Sequence, residues 1–495
     1  MRRRLQLLVI ACLVATRSVA PAPAASQAAA QGAATFDEHC AECHGADARG
    51  GAGPPLDGPY VYGGDLQSIA RSIRHGFPPN MPAFGKTLPE AEIAGLVDYL
   101  RIKVAEAPPR LPGDLDLPPR TTGIRLPAGV IHTSLHDYHL EVVARVGTPY
   151  AMGFLPDGRI LITETAGALR VVENGRLLPD PVSGAPTGDI TDMPQPQKRP
   201  LTGLVVHPDY RTNGWIYLLH SKAARGVVPG APILATITRG RLKAGRWVDS
   251  EDIFSVPAQK TNSLRMKFDA SGHLYVGTPY DRTDHPVADT AAGYVGTGLD
   301  WPSQDLTNPM GKILRMNDDG SVPPDNPFVH APGAYPYIFS YGHRESMGLT
   351  FDGAGELWQS EDGPRGGDEV NHIVKGGNYG WPLITWGHPY QARPVISYTE
   401  RPGLQQPVVN WAPSPALGDI EYYDGSAFPR WRGSFFVGSL KQRDLFRVTV
   451  DGNRVTLVET VLHDLQRFRD IATGPDGFLY LLTDSGHLLR LIPDK

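Results

Sequence analysis

Residues 154–164 read FLPDGRILITE, in which an aspartate precedes a glycine turn and a run of apolar residues follows. This order is typical of two strands that are joined by a short turn. The pattern occurs six times, with its aspartates at Asp157, Asp209, Asp269, Asp352, Asp424 and Asp476. The other copies are VHPDYRTNGWIYLLH (206–220), FDASGHLYVGT (268–278), FDGAGELWQSE (351–361), YYDGSAFPRWRGSFFVG (422–438) and GPDGFLYLLTD (474–484).

A strand-turn-strand unit that repeats at this spacing predicts a β-propeller, in which a four-stranded blade needs about 40–50 residues. Six copies therefore predict a six-bladed propeller over residues 138–493, with loop insertions in the longer intervals. The 55 Gly and 47 Pro residues of the 495-residue chain also suit a turn-rich, mainly β protein. A pair of β-sandwiches is the alternative, but it does not explain why one motif recurs along the whole region.

A second motif, Cys40-Ala41-Glu42-Cys43-His44, lies well before the repeats. CxxCH is the attachment signature of a c-type haem. Its two thiols, Cys40 and Cys43, form thioethers to the haem, and the histidine that follows, His44, becomes the proximal iron ligand. The alternative is a redox or zinc CxxC, but the sequence contains no second cysteine pair to complete a zinc site.

The sixth iron ligand is expected in the segment HGFPPNMPAFG (75–85). Met81 lies there among three prolines, and a thioether held on the far side of the iron raises the haem potential. His75 is the alternative ligand. Downstream, TLPEAEIAGLVDYLRIK (87–103) predicts a helix with a Thr87–Glu90 capping box. Its apolar face is formed by Ile93, Leu96, Val97 and Leu100.

Residues 34–103 therefore resemble a small, all-α class I cytochrome c domain. Residues 104–137 are rich in proline and lack apolar periodicity, which predicts a linker between this domain and the propeller. Residues 1–24 carry three arginines, a short apolar run and then small residues, as in a secretory signal. Attachment of a c-type haem to an exported chain predicts a periplasmic protein, and a lipoprotein signal ending at Cys12 is the less favoured interpretation.

Charge and hydropathy exclude two classes of partner. The net charge is −5 and the basic residues are scattered, so the sequence lacks the clustered basic patch that binds nucleic acid. After the signal there is no long apolar run, so we expect no stable membrane span. The remaining partners are a small-molecule substrate and an external electron acceptor, such as a periplasmic cytochrome or a terminal oxidase.

Functional loops of propellers lie where long insertions converge, and here the longest insertions fall between residues 269 and 424. This region contains SYGHRESMGL (340–349), GPRGGDE (363–369) and NYGWP (378–382). These motifs resemble the pyrroloquinoline quinone (PQQ)-dependent soluble aldose/sorbosone dehydrogenases, a family of six-bladed propellers. The resemblance extends over about residues 138–493.

The resemblance implies that Ca²⁺ and PQQ bind at the mouth of the central channel. It places Glu369 and Tyr379 at calcium positions, and carboxylate and carbonyl oxygens are the ligands that this hard cation prefers. PQQ carries three carboxylates, so cationic side chains from several blades suit it. The resemblance assigns cofactor contacts to Arg344, Tyr390, Lys441, Arg467 and Arg469.

The chain also departs from the family pattern. Thr261 occupies the position of the family's histidine general base, although Arg265 nearby is retained. Threonine cannot accept a proton at neutral pH. Glu345 and Asp362 replace an expected Asn and His, and a desolvated carboxylate can have its pKa raised enough to act as a base. Glu345 is the first candidate for that role and Asp362 the second.

One further position stays open. A glutamine that the family places over the cofactor corresponds here to either Gln197 or Lys198. A domain that binds cofactor poorly, or that has lost aldose activity, is the alternative to a replaced base.

The sequence therefore predicts a periplasmic oxidoreductase that oxidises a sugar or another alcohol or hemiacetal at PQQ. The electrons then pass through haem c to an external acceptor. One alternative is a calcium-dependent propeller hydrolase or lactonase, and another is a non-catalytic sugar-binding propeller, each tethered to a cytochrome. Neither alternative accounts for a set of cations suited to a polyanion.

Overall fold

The computed structural model of the chain divides into two compact units, a helical unit that ends near Pro108 and a β unit that follows it. The structure describes residues 24–46, 48, 56, 66–76, 81–106, 126–127, 129–188, 200–223, 233–258, 264–280, 301–364, 366–387 and 398–494. The predicted signal, residues 1–24, lies almost entirely outside these ranges. Within them, no helix combines the length and the apolar character needed to cross a bilayer.

The helical unit contains α1 (Ala24–His39), α2 (Ala41–His44), α3 (Leu66–His75) and α4 (Glu90–Glu106). Helices α1 and α4 pack against each other at two glycines. A Cβ atom added to Gly32 would lie 1.9 Å from the carbonyl oxygen of Gly95, so only glycine permits this approach. Close contact of the two helices then buries Phe36, whose ring lies 5.2 Å from that of Tyr99.

The predicted apolar face of α4 is confirmed, because Ile93, Leu96, Val97 and Leu100 are all buried. The predicted capping box is wrong. Thr87 Oγ1 donates to the carbonyl oxygen of Phe84 (3.1 Å), and the Glu90 carboxylate forms an exposed two-point ion pair with Arg74 (2.9 and 2.6 Å). A guanidinium can donate to both carboxylate oxygens of Glu90 at once, which a single backbone N–H cannot do.

The β unit is a six-bladed propeller, as predicted. Its first blade contains β3 (Pro149–Phe154), β4 (Ile160–Glu164), β5 (Ala168–Glu173) and β6 (Arg176–Leu177), and the second β7 (Leu201–Val206), β8 (Trp215–Ala223), β9 (Ile233–Lys243) and β10 (Arg246–Ala258). The third contains β11 (Arg265–Phe268), β12 (Leu274–Gly277), β13 (Lys312–Met316) and β14 (Ile338–Tyr341). The fourth contains β15 (Ser346–Phe351), β16 (Leu357–Glu361), β17 (Asp368–Ile373) and β18 (Val409–Trp411), and the fifth β19 (Leu417–Tyr423), β20 (Ser434–Ser439), β21 (Leu445–Asp451) and β22 (Arg454–Leu462).

The sixth blade closes the ring, because it combines strands from both ends of the β unit. Its order is β1 (Ile131–His132), β2 (Asp137–Arg145), β25 (His487–Pro493), β24 (Leu479–Thr483) and β23 (Phe468–Thr473). Tyr138 of β2 is fully buried, and its hydroxyl donates to the carbonyl oxygen of Val461 in the fifth blade (2.6 Å). Two short helical turns, α5 (Tyr210–Asn213) and the 3₁₀ turn Pro429–Trp431, complete the β unit.

All six repeated aspartates lie in the turn between the first and second strands of a blade. Asp269 and Asp352 show why aspartate suits this position. Oδ1 of Asp352 accepts the N–H groups of Ala354 and Glu356 (both 2.9 Å), and Oδ1 of Asp269 accepts two N–H groups in the same way. The carboxylate thereby accepts hydrogen bonds from backbone N–H groups of the turn that are not paired between the two strands.

The predicted linker differs from the structure at both ends. Helix α4 continues to Glu106, and β1 and the first residue of β2 fall inside the range 104–137. The apolar side chains of Ile131 and Leu135 pack against the core of the sixth blade, which explains why this stretch is structured. Residues 107–125 lie outside the described residues.

Candidate active site

The first strands of the six blades contact one another around the central axis of the propeller. In an antiparallel blade, the start of the first strand, the end of the second and the start of the third lie at one end. In the fourth blade, for example, Ser346 pairs with Glu361 and Glu361 with Glu369. The described site residues lie at this end of the ring, and the aspartate turns lie at the other.

The YGHR motif (341–344) and the NYGWP motif (378–382) form backbone hydrogen bonds with each other. The N–H of Tyr379 donates to the carbonyl oxygen of Tyr341 (2.8 Å), and the N–H of Trp381 donates to that of Gly342 (2.8 Å). Gly342 has a φ of +79°, and a Cβ atom there would lie 2.2 Å from Asn378 Oδ1. The glycine in YGHR is therefore required for this close approach.

This pairing places Arg344 between aromatic rings. The centre of its guanidinium lies 5.2 Å from the ring of Tyr280 and 5.4 Å from that of Trp381. Arg344 Nη1 donates to the main-chain carbonyl of Asp362 (2.8 Å), and the N–H of Asp362 donates to the carbonyl of Glu345 (3.0 Å). The structure thus brings together three residues that the sequence singled out.

Asp362 has an environment that favours its neutral form. Its Oδ1 atom is buried and has no hydrogen-bond partner among the described residues. Burial raises the pKa of Asp362 well above its usual value, and the charges of Asp368 and Glu345 raise it further, against the opposing effect of Arg344. A carboxyl group with a raised pKa retains affinity for a proton near neutral pH.

Asp368 supports this region from inside the blade. It accepts hydrogen bonds from the N–H of Gly363 (2.9 Å) and from Ser414 Oγ (2.7 Å). Burial nevertheless raises its pKa to about 6, although the hydrogen bonds and Arg344 lower it. Asp368 lies in the GPRGGDE motif (363–369), next to Glu369. Asp368 was not singled out from the sequence, because the sequence alone does not show which of two adjacent carboxylates points into the site.

Arg265 and Arg469 come from the third and sixth blades and lie against the same ring. Their guanidinium centres are 4.9 and 5.6 Å from the ring centre of Tyr150 in the first blade. Burial disfavours the charge of Arg469, but its pKa is raised because Asp484, Tyr150 and Asp362 stabilise the cation. Asp484 forms ion pairs with both Arg469 and Arg467.

Lys441 is half-buried at the same end of the fifth blade. Its N–H donates to the carbonyl oxygen of Pro415 (2.9 Å), and the neighbouring Ser414 and Leu417 donate to Asp368. One short segment therefore connects Lys441 to the acidic residues of the fourth blade. No sequence pattern pointed to Tyr150 or Tyr280, since an isolated tyrosine in a β-rich region is usually a core residue.

The two predicted calcium residues lie on the packed side of the fourth blade. Glu369 is half-buried, and burial raises its pKa well above the usual value, as does the nearby charge of Glu361. The Tyr379 hydroxyl donates to the carbonyl oxygen of His372 and accepts the N–H of Val374 (2.9 Å). Only the main-chain carbonyl of Tyr379 therefore suits a cation.

No three His, Cys, Asp or Glu side chains converge around a metal-sized space in the described part of the chain. Carbonyl and amide oxygens would have to complete a calcium site at Glu369. Thr261, Tyr390, Gln197 and Lys198 lie outside the described residues, so their predicted roles stay predictions.

The haem motif forms a single turn at the junction of α1 and α2. The N–H groups of Cys43 and His44 both donate to the carbonyl oxygen of Cys40 (3.2 and 2.9 Å). Burial and the neighbouring Cys43 raise the pKa of the Cys40 thiol to about 11.

Met81 is half-buried, whereas His75 is exposed at the end of α3. The chain around Met81 is tied to that helix, since Phe84 N–H donates to Ile73 (3.0 Å). A Cβ atom on Gly76 would lie 2.6 Å from the carbonyl oxygen of Met81. These contacts give Met81 a defined position, as the predicted ligand role requires.

Comparison with known proteins covers both units. A family model described as glucose/sorbosone dehydrogenase matches residues 146–490, and one described as cytochrome c oxidase, cbb3-type, subunit III matches residues 27–100. The aldose sugar dehydrogenase YliI of Escherichia coli is 36% identical over 358 residues, which cover 70% of this chain and 90% of the relative.

Two solved structures extend the comparison. The apo form of the soluble aldose sugar dehydrogenase from Escherichia coli has a TM-score of 0.61 and 33% identity, and the match covers 72% of this chain and all of that one. The PQQ-bound aldose sugar dehydrogenase from Streptomyces coelicolor has a TM-score of 0.54 and 25% identity, with 72% and 98% covered.

We predict that Met81→Ala lowers the haem reduction potential, because a thioether ligand favours the reduced iron. Redox titration of the haem protein, followed by its visible spectrum, measures the shift. The sulfur-to-iron charge-transfer band in the near infrared should also disappear. His75→Ala is the matched control and should leave both unchanged, whereas an unaltered band in Met81→Ala would exclude this residue as a ligand.

Proposed function

Because the chain belongs to the glucose/sorbosone dehydrogenase family and carries a cytochrome c domain, we propose that it is a PQQ-dependent quinohaemoprotein. Its propeller oxidises a sugar or another alcohol or hemiacetal, and its haem c passes the electrons to an external acceptor. The observation that carries the proposal is the meeting of Arg344, Asp362 and Arg469 at one end of the ring, beside aromatic rings.

The cationic residues fit PQQ by their chemistry. PQQ is a flat aromatic polyanion, and when bound it supplies a quinone that accepts two electrons from a CH–OH group. Arg344, Arg265 and Arg469 each lie against an aromatic ring, and a guanidinium can bind a carboxylate through two N–H groups, as Arg469 binds Asp484. We propose that Lys441 and Arg467 supply further positive charges for the PQQ carboxylates, and that Tyr390 is an additional contact of the cofactor.

Asp362 is the base that the described geometry supports best, which reverses the order predicted from the sequence. Its Oδ1 atom is buried without a described hydrogen-bond partner and its pKa is raised, so it can take the hydroxyl proton of a substrate. Glu345 is the second candidate for the base. Its negative charge also raises the pKa of Asp362. Thr261 is proposed to have lost the base role, with Arg265 retained beside the cofactor.

Calcium is proposed to bind at Glu369. Asn371 and Asn410 flank this residue, and each has a buried Oδ1 atom that has no hydrogen-bond partner among the described residues. Carboxylate and amide oxygens at one place form a donor set that suits Ca²⁺. The main-chain carbonyl of Tyr379 is the fourth proposed ligand.

The two cysteines and His44 are proposed to hold haem c, with Met81 as sixth ligand. Because the covalent haem and the dehydrogenase belong to one chain, electron transfer from the haem to a periplasmic cytochrome or terminal oxidase is the proposed outlet. The signal over residues 1–24 is the basis for placing the protein in the periplasm. A hydrolase or a non-catalytic sugar-binding propeller would not need the haem.

The direct test of the function is reduction of the haem by substrate. Purified haem protein, supplied with PQQ and Ca²⁺ and then mixed with aldoses or other alcohols, should show the reduced haem spectrum. The reduction should require PQQ, since sugar alone cannot reduce the iron without a two-electron acceptor. A panel of aldoses and alcohols that leaves the haem oxidised, although PQQ binds, would contradict the dehydrogenase.

We predict that Asp362→Asn lowers turnover by about 10²-fold or more, the usual worth of general-base catalysis. Only the ionised carboxylate accepts a proton, so the wild-type rate should rise with pH through the raised pKa of Asp362. This acidic limb should vanish in Asp362→Asn. The measurement is turnover against pH with saturating PQQ.

Glu345→Gln is the matched variant for that experiment. If Asp362 is the base, Glu345→Gln should shift the acidic limb to lower pH, because it removes a negative charge that raises the pKa of Asp362. Loss of the limb in Glu345→Gln and its retention in Asp362→Asn would assign the base to Glu345.

We predict that Glu369→Ala removes calcium binding. A ligand that binds only the folded protein raises Tm by mass action, so calcium should stabilise the wild-type protein. Thermal unfolding with calcium and with chelator should give equal Tm values in Glu369→Ala. Glu356→Gln, an exposed carboxylate of the same blade, is the control and should keep the calcium-dependent shift.

A further inference from the structure

A row of buried polar side chains connects Glu369 to the backbone of Arg344. We call it the polar row, and it consists of Ser340, His343, Glu361, Asn371 and Glu369. Ser340, His343 and Asn371 are fully buried, and Glu361 is nearly so. Polar groups are buried at a cost unless they are hydrogen-bonded, so a continuous row of them calls for an explanation.

His343 is held from three directions. Its Nδ1 atom lies 3.1 Å from Glu361 Oε2, its Nε2 atom lies 2.9 Å from Ser340 Oγ, and its ring stacks on Tyr379 at 4.6 Å. An ionised carboxylate can only accept hydrogen bonds, so the Nδ1–H group of His343 donates a hydrogen bond to Glu361. The unprotonated Nε2 atom then accepts a hydrogen bond from the Ser340 hydroxyl. The imidazole therefore fixes the orientation of the Glu361 carboxylate.

Glu361 uses its two oxygens for different partners. Oε1 accepts the backbone N–H of Arg344, and Oε2 accepts from His343 and from Asn371 Nδ2 (3.4 Å). The backbone N–H sets where the Cα atom of Arg344 lies, and hence where its guanidinium enters the site. The Glu361 carboxylate thus positions Arg344, a proposed cofactor ligand, through its main chain.

Asn371 is shared between two carboxylates. Its Nδ2 atom lies 3.2 Å from Glu369 Oε2 and 3.4 Å from Glu361 Oε2. Glu361 and Glu369 face each other directly on neighbouring strands, an arrangement that is unfavourable for like charges. The two N–H groups of the Asn371 amide therefore bridge the two carboxylates.

We propose that Asn371, a proposed cation ligand, and His343, a positioning residue, couple cation binding at Glu369 to PQQ binding at Arg344. This inference rests on the proposed function. A divalent cation bound to the Glu369 carboxylate and to Asn371 Oδ1 fixes the Asn371 amide, so that its Nδ2 atom holds Glu361 in place. Glu361, oriented by His343, then holds the backbone of Arg344 in the geometry that receives the cofactor.

Coupling between two binding sites is reciprocal and is measured as a ratio of affinities. The experiment determines the dissociation constant of PQQ by tryptophan fluorescence, once with Ca²⁺ and once with chelator. The wild-type protein should bind PQQ about 10-fold or more tightly with Ca²⁺, within the usual range of coupling. In Asn371→Leu and in His343→Leu the ratio should fall to about 2-fold or less.

Two further variants make the test specific. His343→Asn keeps a donor at the position of Nδ1 and should retain most of the ratio. His372→Asn makes the same change at a histidine that contacts Asn453 and Glu356 instead, and should leave the ratio unchanged. If Asn371→Leu does not fold, Asn371→Ser, whose side chain is too short to bridge both carboxylates, takes its place.

The outcomes separate the inference from the proposed function. A wild-type protein that binds no PQQ under either condition would overturn both. Wild-type binding with a large ratio that Asn371→Leu and His343→Leu retain, even with a lowered Tm, would show that the polar row only stabilises the fold and would overturn the inference alone. A wild-type ratio near one would also overturn it.

Discussion

The pairing of β2 with β25 is the contact on which the rest of the β unit depends. Residues from the start of the unit complete the blade formed by its last strands, and this pairing closes the ring. Once the ring is closed, the first strands of all blades begin at the same end of the axis. Arg265, Arg469 and Tyr150 then meet, although they belong to three different blades.

The fourth blade holds desolvated carboxylates at the end of the ring where the site residues lie. Asp362 and Glu369 both have raised pKa values, which shows that the fold pays for desolvated carboxylates at this end. Such groups reduce stability as the pH rises through the raised pKa, because the ionised form is favoured in the unfolded chain. A site that accepts this cost is typical of chemistry that needs a base or a cation.

The two sequence motifs of the fourth blade gain a physical explanation from their backbone pairing. YGHR and NYGW lie side by side, so the glycine of the first allows the approach, and His343 and Arg344 each pack on an aromatic residue of the second. Their residues therefore act together: one arginine faces the proposed cofactor, while the histidine beside it is directed into the blade.

The sequence by itself determined the elements whose signals are local. The aspartate turns gave the number of blades and the positions of their first hairpins, and CxxCH with the apolar face of α4 gave the helical domain, because turn chemistry and helical periodicity depend on neighbouring residues. The capping-box prediction was wrong because it considered only neighbouring residues. In the structure Glu90 forms an ion pair with Arg74 of another helix instead of capping its own helix. Only the tertiary structure decided that burial raises the pKa of Asp362, that Tyr150 joins the site, and that His343 links Glu361 to Ser340. Contacts between neighbouring strands and blades produce the first and third of these properties, and ring closure brings Arg469 of the last blade to Tyr150 of the first.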